Sequence, residues 1–316
     1  MARKIDVHTH AVPAFFREYL KVLEGSGVPI VDWSIDDTRA CNAKLGVSTS
    51  ILSLSAPGPE IKPNRDDARQ VAREFNEWAC QLKRDEPSAF GFFAAVPSML
   101  DTEGCLAEIS YALDELDADG ICLFTSYGGK YLGDQAFQQI WQELNRRSAV
   151  VFVHPIQSAD FRPFSPLLPP PAFDFPHETG RAAAHMVMTG TKRRYPNMKV
   201  ILSHAGGTLP LLAERLAQLD TALFKNSLEE GSPQTAEQIV EDCKSFYFDL
   251  ALSGTHNILD LLVNWAPDKI LYGSDFPYCT VEAEYNTRKL AEYPMSDETM
   301  GAIDRDTAVK LFPRFG

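Results

Sequence analysis

Ile5-Asp6-Val7-His8-Thr9-His10 reads as an apolar strand that closes on two imidazoles. Side chains at i and i+2 of a strand share one side. His8 and His10 therefore converge at the C-terminal end of that strand, where a single divalent ion could take both. An ion needs more donors than these two. Three further apolar runs end in the same way: Val150-Val151-Phe152-Val153-His154, Val200-Ile201-Leu202-Ser203-His204 and Ile270-Leu271-Tyr272-Gly273-Ser274-Asp275. One histidine at a strand end is ordinarily a structural hydrogen-bonder. Four matched endings read as one site.

Working outward, short β-like runs fall at 4–8, 48–54, 90–96, 120–124, 149–153, 199–203, 245–250 and 269–273. Amphipathic helical stretches lie between them, among them 64–85, 101–117, 134–147, 179–195, 207–225 and 255–265. This alternation predicts an α/β fold, a (β/α)8 TIM barrel, with a doubly wound sheet as the alternative. The strand endings favour the barrel. Closure aims the ends of the first, fifth, sixth and eighth strands at one axis, whereas an open sheet spreads them along a line. The expected organisation is a single domain over 1–316 with inserted loops at its C-terminal face. Insertions are read at 25–38 and 55–64, and a larger one follows the fifth strand. There Ser165-Pro166-Leu167-Leu168-Pro169-Pro170-Pro171-Ala172-Phe173 predicts a stiff loop at about 156–178, neither helix nor central strand, placed to wall or cover the mouth of the site.

Composition narrows the function classes. The net charge of −13 offers no concentrated basic surface, which argues against nucleic acid or an anionic membrane as partner. Lys192-Arg193-Arg194 is the best basic cluster, and it reads as cations at a helix C-terminus. Cys41, Cys80, Cys105, Cys122, Cys243 and Cys279 are scattered without a C-x-x-C pair, as in a reducing compartment. No run approaches the roughly 20 apolar residues of a membrane span, and no signal peptide follows Met1. A cytoplasmic enzyme is the expectation. No G-x-S-x-G, P-loop or G-x-G-x-x-G occurs, so neither serine hydrolase chemistry nor a nucleotide or other organic cofactor is expected.

Three imidazoles (His8, His10, His154) and the carboxylate of Asp275 make a nitrogen and oxygen donor set suited to one zinc ion, with manganese as the alternative. His204 could be a further ligand or an acid/base group. With the other four around the ion, acid/base work suits it better. Tyr127 on the loop after the fourth strand and Phe276 beside Asp275 are candidate wall residues, along with Trp33 and Phe92.

The chain resembles the metal-dependent decarboxylase branch of the amidohydrolase superfamily. The resemblance runs from the His8-Thr9-His10 strand through Phe152-Val153-His154-Pro155, Ser203-His204-Ala205-Gly206-Gly207 and Tyr272-Gly273-Ser274-Asp275-Phe276-Pro277 to Asp306-Thr307-Ala308-Val309-Lys310-Leu311-Phe312. Leu52-Ser53-Leu54-Ser55-Ala56-Pro57-Gly58 and Tyr127-Gly128-Gly129-Lys130-Tyr131-Leu132-Gly133-Asp134 are most similar to 6-methylsalicylate decarboxylases. The resemblance implies His8, His10, His154 and Asp275 as ligands and His204 as the catalytic histidine. It also implies that Arg215 reaches the substrate carboxylate in a neighbouring subunit, hence a homodimer or homotetramer. The fourth strand, Asp119-Gly120-Ile121-Cys122-Leu123-Phe124, lacks the lysine that bridges two metals in binuclear relatives, so one ion is expected. Some dihydroxybenzoate decarboxylases carry a Glu three residues after the catalytic histidine, where this chain has Gly207.

The implied reaction is non-oxidative decarboxylation of a small aromatic acid, an ortho-hydroxybenzoate: 6-methylsalicylate to 3-methylphenol (m-cresol) and CO2. Direct loss of CO2 would leave an unstable aryl anion. Protonating the ring carbon first avoids it, and Asp275, with His204 tuning or relaying, is the expected proton source. The alternative is a metal-dependent hydrolase of a lactone or amide.

Overall fold

The computed structural model describes residues 4–24, 30–157, 167–218 and 234–316. In chain order the strands are β1 (Lys4–Ala11), β2 (Val47–Leu54), β3 (Phe90–Ala95), β4 (Gly120–Phe124), β5 (Ser126–Tyr127), β6 (Lys130–Tyr131), β7 (Val150–His154), β8 (Lys199–Leu202), β9 (Tyr247–Asp249) and β10 (Ile270–Leu271). All but β5 and β6 form one parallel sheet in the order β1-β2-β3-β4-β7-β8-β9-β10, and β5–β6 is a separate antiparallel hairpin. The eight-stranded sheet curls back on itself. Val7 N–H donates to the Tyr272 carbonyl, Asp275 N–H to the His8 carbonyl and His10 N–H to the Phe276 carbonyl, so β1 meets the segment leaving β10. This is the (β/α)8 barrel expected from the strand pattern.

The helices are α1 (Ala14–Leu20), α2 (Ile35–Leu45), α3 (Arg65–Asp85), α4 (Thr102–Asp114), α5 (Gln138–Arg146), α6 (Pro170–Met188), α7 (Thr191–Arg194), α8 (Leu209–Ala217), α9 (Ala236–Lys244), α10 (His256–Trp265), α11 (Thr280–Glu292), α12 (Asp297–Gly301) and α13 (Thr307–Leu311). Their starts follow local chemistry. Asn64 accepts the N–H groups of Asp66 and Asp67 at the head of α3, Asp101 caps α4, and Thr235 with Gln238 forms a capping box on α9. Among the described residues no helix is long and apolar enough to cross a membrane.

The barrel interior is filled rather than open. Ile5, Val7, Ile51, Phe93, Phe152 and Leu271 pack in one buried cluster, closed from the chain's C-terminus by Phe312 and Phe315. β1 carries an irregularity between Asp6 and Thr9 where its register against β2 shifts. Such a shift re-aims side chains. Here Ile5 and Val7 join the interior packing, and yet the His8 ring also lies 5.0 Å from Phe152.

Three sequence readings change. Residues 35–38, read as insertion, are the first turn of α2, because Ser34 and Asp37 form a capping box; residues 25–29 lie outside the described residues. The stretch 170–178, read as proline-rich loop, is the first half of α6. Pro170 and Pro171 sit in the first turn, where a missing N–H breaks no intrahelical bond; residues 158–166 are outside the described residues. The helix read as 179–195 is two, broken at Gly190 with φ 71°.

Candidate active site

His8 and His10 stand side by side at the end of β1. Their Nε2 atoms are 3.2 Å apart, and Asp275 Oδ1 lies 3.1 Å from His10 Nε2 and 3.3 Å from His8 Nε2. The His154 ring, at the end of β7, has its centroid 4.6 Å from that of His10. One donor atom from each of His8, His10, His154 and Asp275 falls within 4.8 Å of the others, and all four residues are buried. Two imidazole nitrogens face one carboxylate oxygen here with little else to bond, and buried His154 Nδ1 has no hydrogen-bond partner among the described residues. A divalent cation fits this donor set: three nitrogens and one oxygen converge, and closing on an ion would satisfy them together.

Local backbone geometry holds these groups in place. Asp275, His204 and Ala205 have φ of 65°, 53° and 57°, a left-handed region that non-glycine residues rarely adopt. Strain of this kind gathers at functional sites and persists where surrounding contacts over-determine it. For Asp275 the contact is its own N–H on the His8 carbonyl at 2.9 Å. Asp6 adds a second tie, since its Oδ1 accepts the N–H groups of both His8 and Ser274.

Asp249, the last residue of β9, was not among the sequence-predicted site residues. Its Oδ2 accepts from His8 Nδ1 at 3.0 Å, while Oδ1 accepts the N–H groups of His204 (3.1 Å) and Ala251 (3.0 Å). With its Nδ1–H committed to Asp249, His8 presents the Nε2 lone pair to the cluster. Ser53 on β2 lies 3.3 Å from His10 Nδ1 and does the same for His10. The signal for Asp249 was present: Tyr247-Phe248-Asp249 is one more apolar strand ending in a carboxylate.

Electrostatics follow from this packing. Burial disfavours charge on His8, but Asp249 and then Asp275 outweigh it and raise the imidazole to about 10. Burial pushes His154 well down, with the neighbouring histidines adding to it, and His10 also falls. Burial would raise Asp275, yet hydrogen bonds from His10 and His8 hold it well below the usual carboxylate range. Without an ion the cluster thus carries a proton on His8, which a metal must displace.

An Asp249→Asn substitution is expected to lower divalent-metal affinity about 10- to 100-fold. Whichever way the amide turns, its NH2 meets either His8 Nδ1–H or the two backbone N–H groups. The imidazole is then driven toward the tautomer whose Nε2 carries hydrogen. Competition titration with a chromophoric chelator measures this, and unchanged affinity would show that Asp249 does not set the His8 tautomer.

The other predicted residues fall at varying distances from the cluster. His204 is 8% exposed, with its ring centroid 4.9 Å from His8, and Nδ1–H donates to the Ala251 carbonyl at 3.0 Å, leaving Nε2 without a hydrogen bond among the described residues. It is not one of the four convergent donors. Phe276 is buried next to the cluster, and its carbonyl accepts His10 N–H at 2.7 Å. Tyr127 lies in the core instead: its hydroxyl oxygen accepts the Phe124 N–H and its ring packs on Phe137. Trp33 packs on Trp78 with its N–H on Thr38, and Phe92 is fully buried in β3. Arg215 is exposed on α8 and makes no ion pair among the described residues. Leu211 and Leu212, on the same helix, are 65% and 44% exposed.

Aromatic groups not anticipated from sequence surround the donors. Phe175 of α6 and Phe124 at the end of β4 lie edge-on to His154 at 6.3 and 6.2 Å, and Tyr278 lies edge-on to His10 at 5.7 Å, with its hydroxyl 2.6 Å from Ser55 Oγ. The start of α6 is anchored to the loop after His204, because Thr208 N–H donates to the Pro176 carbonyl. Gly207, at φ 58°, faces that same carbonyl, and a β-carbon there would collide with it. No side chain fits at 207 while α6 holds this place.

The amidohydrolase family model matches residues 5–314. The chain belongs to the amidohydrolase family. This amidohydrolase is 43% identical to the 6-methylsalicylic acid decarboxylase of Penicillium expansum over 98% of its own length and 96% of that protein. It is 42% identical to the 6-methylsalicylic acid decarboxylase of Aspergillus aculeatus, with the same coverage of 98% and 96%. Its fold superposes with a TM-score of 0.81 on a dihydroxybenzoic acid decarboxylase of Polaromonas sp., solved with manganese and the inhibitor 2-nitroresorcinol. That pair shares 22% identity over 99% of this chain and 97% of that one.

Proposed function

We propose that this amidohydrolase is a divalent-metal-dependent carboxy-lyase that converts 6-methylsalicylate to 3-methylphenol and CO2. The observation that carries the reading is near-full-length identity of 42–43% with two 6-methylsalicylic acid decarboxylases. The buried His8, His10, His154 and Asp275 cluster supports it from the side of chemistry. These four residues are assigned as ligands of one ion, zinc in the first instance and manganese as the alternative. The manganese in the Polaromonas structure keeps the second open.

When bound, the ion supplies positive charge that draws in an acidic ortho-hydroxybenzoate and lowers the cost of negative charge on its oxygens. Asp275 is assigned the proton. Ionised between His10 and His8, its carboxylate takes the proton of the substrate's ortho-hydroxyl and returns it to the ring carbon that bears the carboxylate. The carbon–carbon bond to the carboxylate then breaks and its electron pair re-forms the aromatic ring. CO2 and 3-methylphenolate leave, and the phenolate takes a proton from water. His204 Nε2 holds the substrate while the negative charge moves, and Phe175, Phe124, Tyr278 and Phe276 wall the ring. Arg215 is assigned to the substrate carboxylate of a neighbouring copy in a homodimer or homotetramer. Its exposure beside Leu211 and Leu212 and its lack of an ion-pair partner among the described residues support that assignment.

The test is CO2 and phenol formation from 6-methylsalicylate, salicylate and 2,6-dihydroxybenzoate, each with and without chelator. Chelator-sensitive release of 3-methylphenol is the expected result. No CO2 from any of the three, with hydrolysis of a lactone or amide instead, would move the reading to the hydrolase alternative.

A further inference from the structure

The basic triplet Lys192-Arg193-Arg194 separates into distinct environments. Arg193 pairs with Asp242 at 2.9 Å and Glu241 at 2.8 Å, and Arg194 donates to Gln138 Oε1 at 2.9 Å. Lys192 is different. It is 5% exposed, its ammonium has no hydrogen bond or ion pair among the described residues, and it lies 5.5 Å from the centroid of the Phe246 ring. Asp242 is close enough to favour its charge, but that carboxylate is already held by Arg193, and burial pushes the Lys192 amine down to about 8. The stem is therefore buried while the ammonium tip reaches solvent with no protein partner among the described residues, so the charge is presented to the space beside it.

Lys192 borders a cavity of about 810 Å³, and Lys199, Lys244 and Lys269 line the same space. The volume is within the range of small-molecule sites. Lys199 opens β8, Lys269 immediately precedes β10, and Tyr247, also in the lining, opens β9. The cavity thus lies at the N-terminal ends of the strands, the opposite end of the barrel from His154 and Asp275. Three glutamates share the lining. Glu241 is held by Arg193, Glu237 by the Thr235 cap, and Lys269 pairs with Asp268 at 3.7 Å, which leaves Glu214 against three lysines without an ion pair among the described residues. Met198 and Val240 supply apolar wall.

We propose that this cavity is a second binding site, for an organic anion with a carboxylate or phosphate head on a short apolar body. The head sits on the Lys192 ammonium with Lys199, Lys244 and Lys269 around it, and the body lies on Met198 and Val240. The site is independent of the decarboxylation reading, since none of its residues belongs to the four-donor cluster.

The test titrates octanoate, octyl phosphate and inorganic phosphate into the intact metal-loaded protein and into Lys192→Met, which keeps the length of the stem and removes the charge. At least one amphiphile is expected to bind saturably and raise Tm, with affinity lower by about tenfold or more in the variant. Which head binds more tightly distinguishes carboxylate from phosphate ligands. Any of three outcomes overturns the proposal: no saturable binding of either amphiphile, equal affinity in the two proteins, or inorganic phosphate binding as tightly as octyl phosphate.

Discussion

Asp275→Asn protein is expected to fold normally and to release CO2 from 6-methylsalicylate about 10³-fold more slowly than wild type. Folding is spared because asparagine tolerates the left-handed φ of 65° at this position, and the tie from residue 275 N–H to the His8 carbonyl is a backbone bond. Chemistry is not spared. Oδ1 sits 3.1 and 3.3 Å from the Nε2 atoms of His10 and His8, and an amide there offers a weaker donor and no means of carrying a proton. Two losses are therefore combined, and metal content separates them. With zinc or manganese raised until the variant is fully loaded, any deficit that persists belongs to proton transfer. Recovery to within about tenfold of wild type on loading would leave Asp275 as a ligand only, and the proton carrier would have to be sought elsewhere.

The four-donor cluster was legible because strand geometry is a local rule. His8 and His10 are two residues apart, and the barrel merely brings His154 and Asp275 to the same axis. Asp249 obeys the same rule and was still overlooked. Its function lies in whom it touches, His8 Nδ1 and two backbone N–H groups, and those contacts join β1, β9 and the loop after β8. Spacing along one strand cannot report a partner on another. The proline-rich stretch failed for a positional reason, since Pro170 and Pro171 are helix breakers in an interior but good residues for a first turn. Tyr127 failed for a reason of direction. A loop residue beside the mouth can turn inward, and its hydroxyl here meets the Phe124 N–H at the end of β4. Lys192 was masked by its neighbours, because three consecutive cations read as one solvated cluster although only two of them are paired.

The His204→Ala substitution separates a catalytic histidine from a structural one, and the expected result is a loss of about 10²- to 10⁴-fold in turnover with the metal retained. Retention follows from position, since His204 lies outside the four convergent donors. The backbone link from residue 204 N–H to Asp249 Oδ1 survives the substitution, so Asp249 still accepts from His8. What is lost is the ring, whose Nδ1–H is anchored on the Ala251 carbonyl and whose Nε2 is left for the substrate. Alanine at φ 53° adds little new strain, because the backbone already accommodates a non-glycine residue there, with Ala205 beside it at φ 57°. A structural histidine would reveal itself differently: Tm would fall, metal would be lost, and turnover per bound ion would stay near normal. His204→Gln sharpens the contrast, since its amide can still donate a hydrogen bond but cannot pass a proton. If glutamine restores most of the turnover, His204 holds the substrate by hydrogen bonding alone. If it restores substrate binding while turnover stays low, the ring moves a proton. Full turnover in the metal-loaded alanine variant would remove His204 from the mechanism and leave Asp275 to act without it.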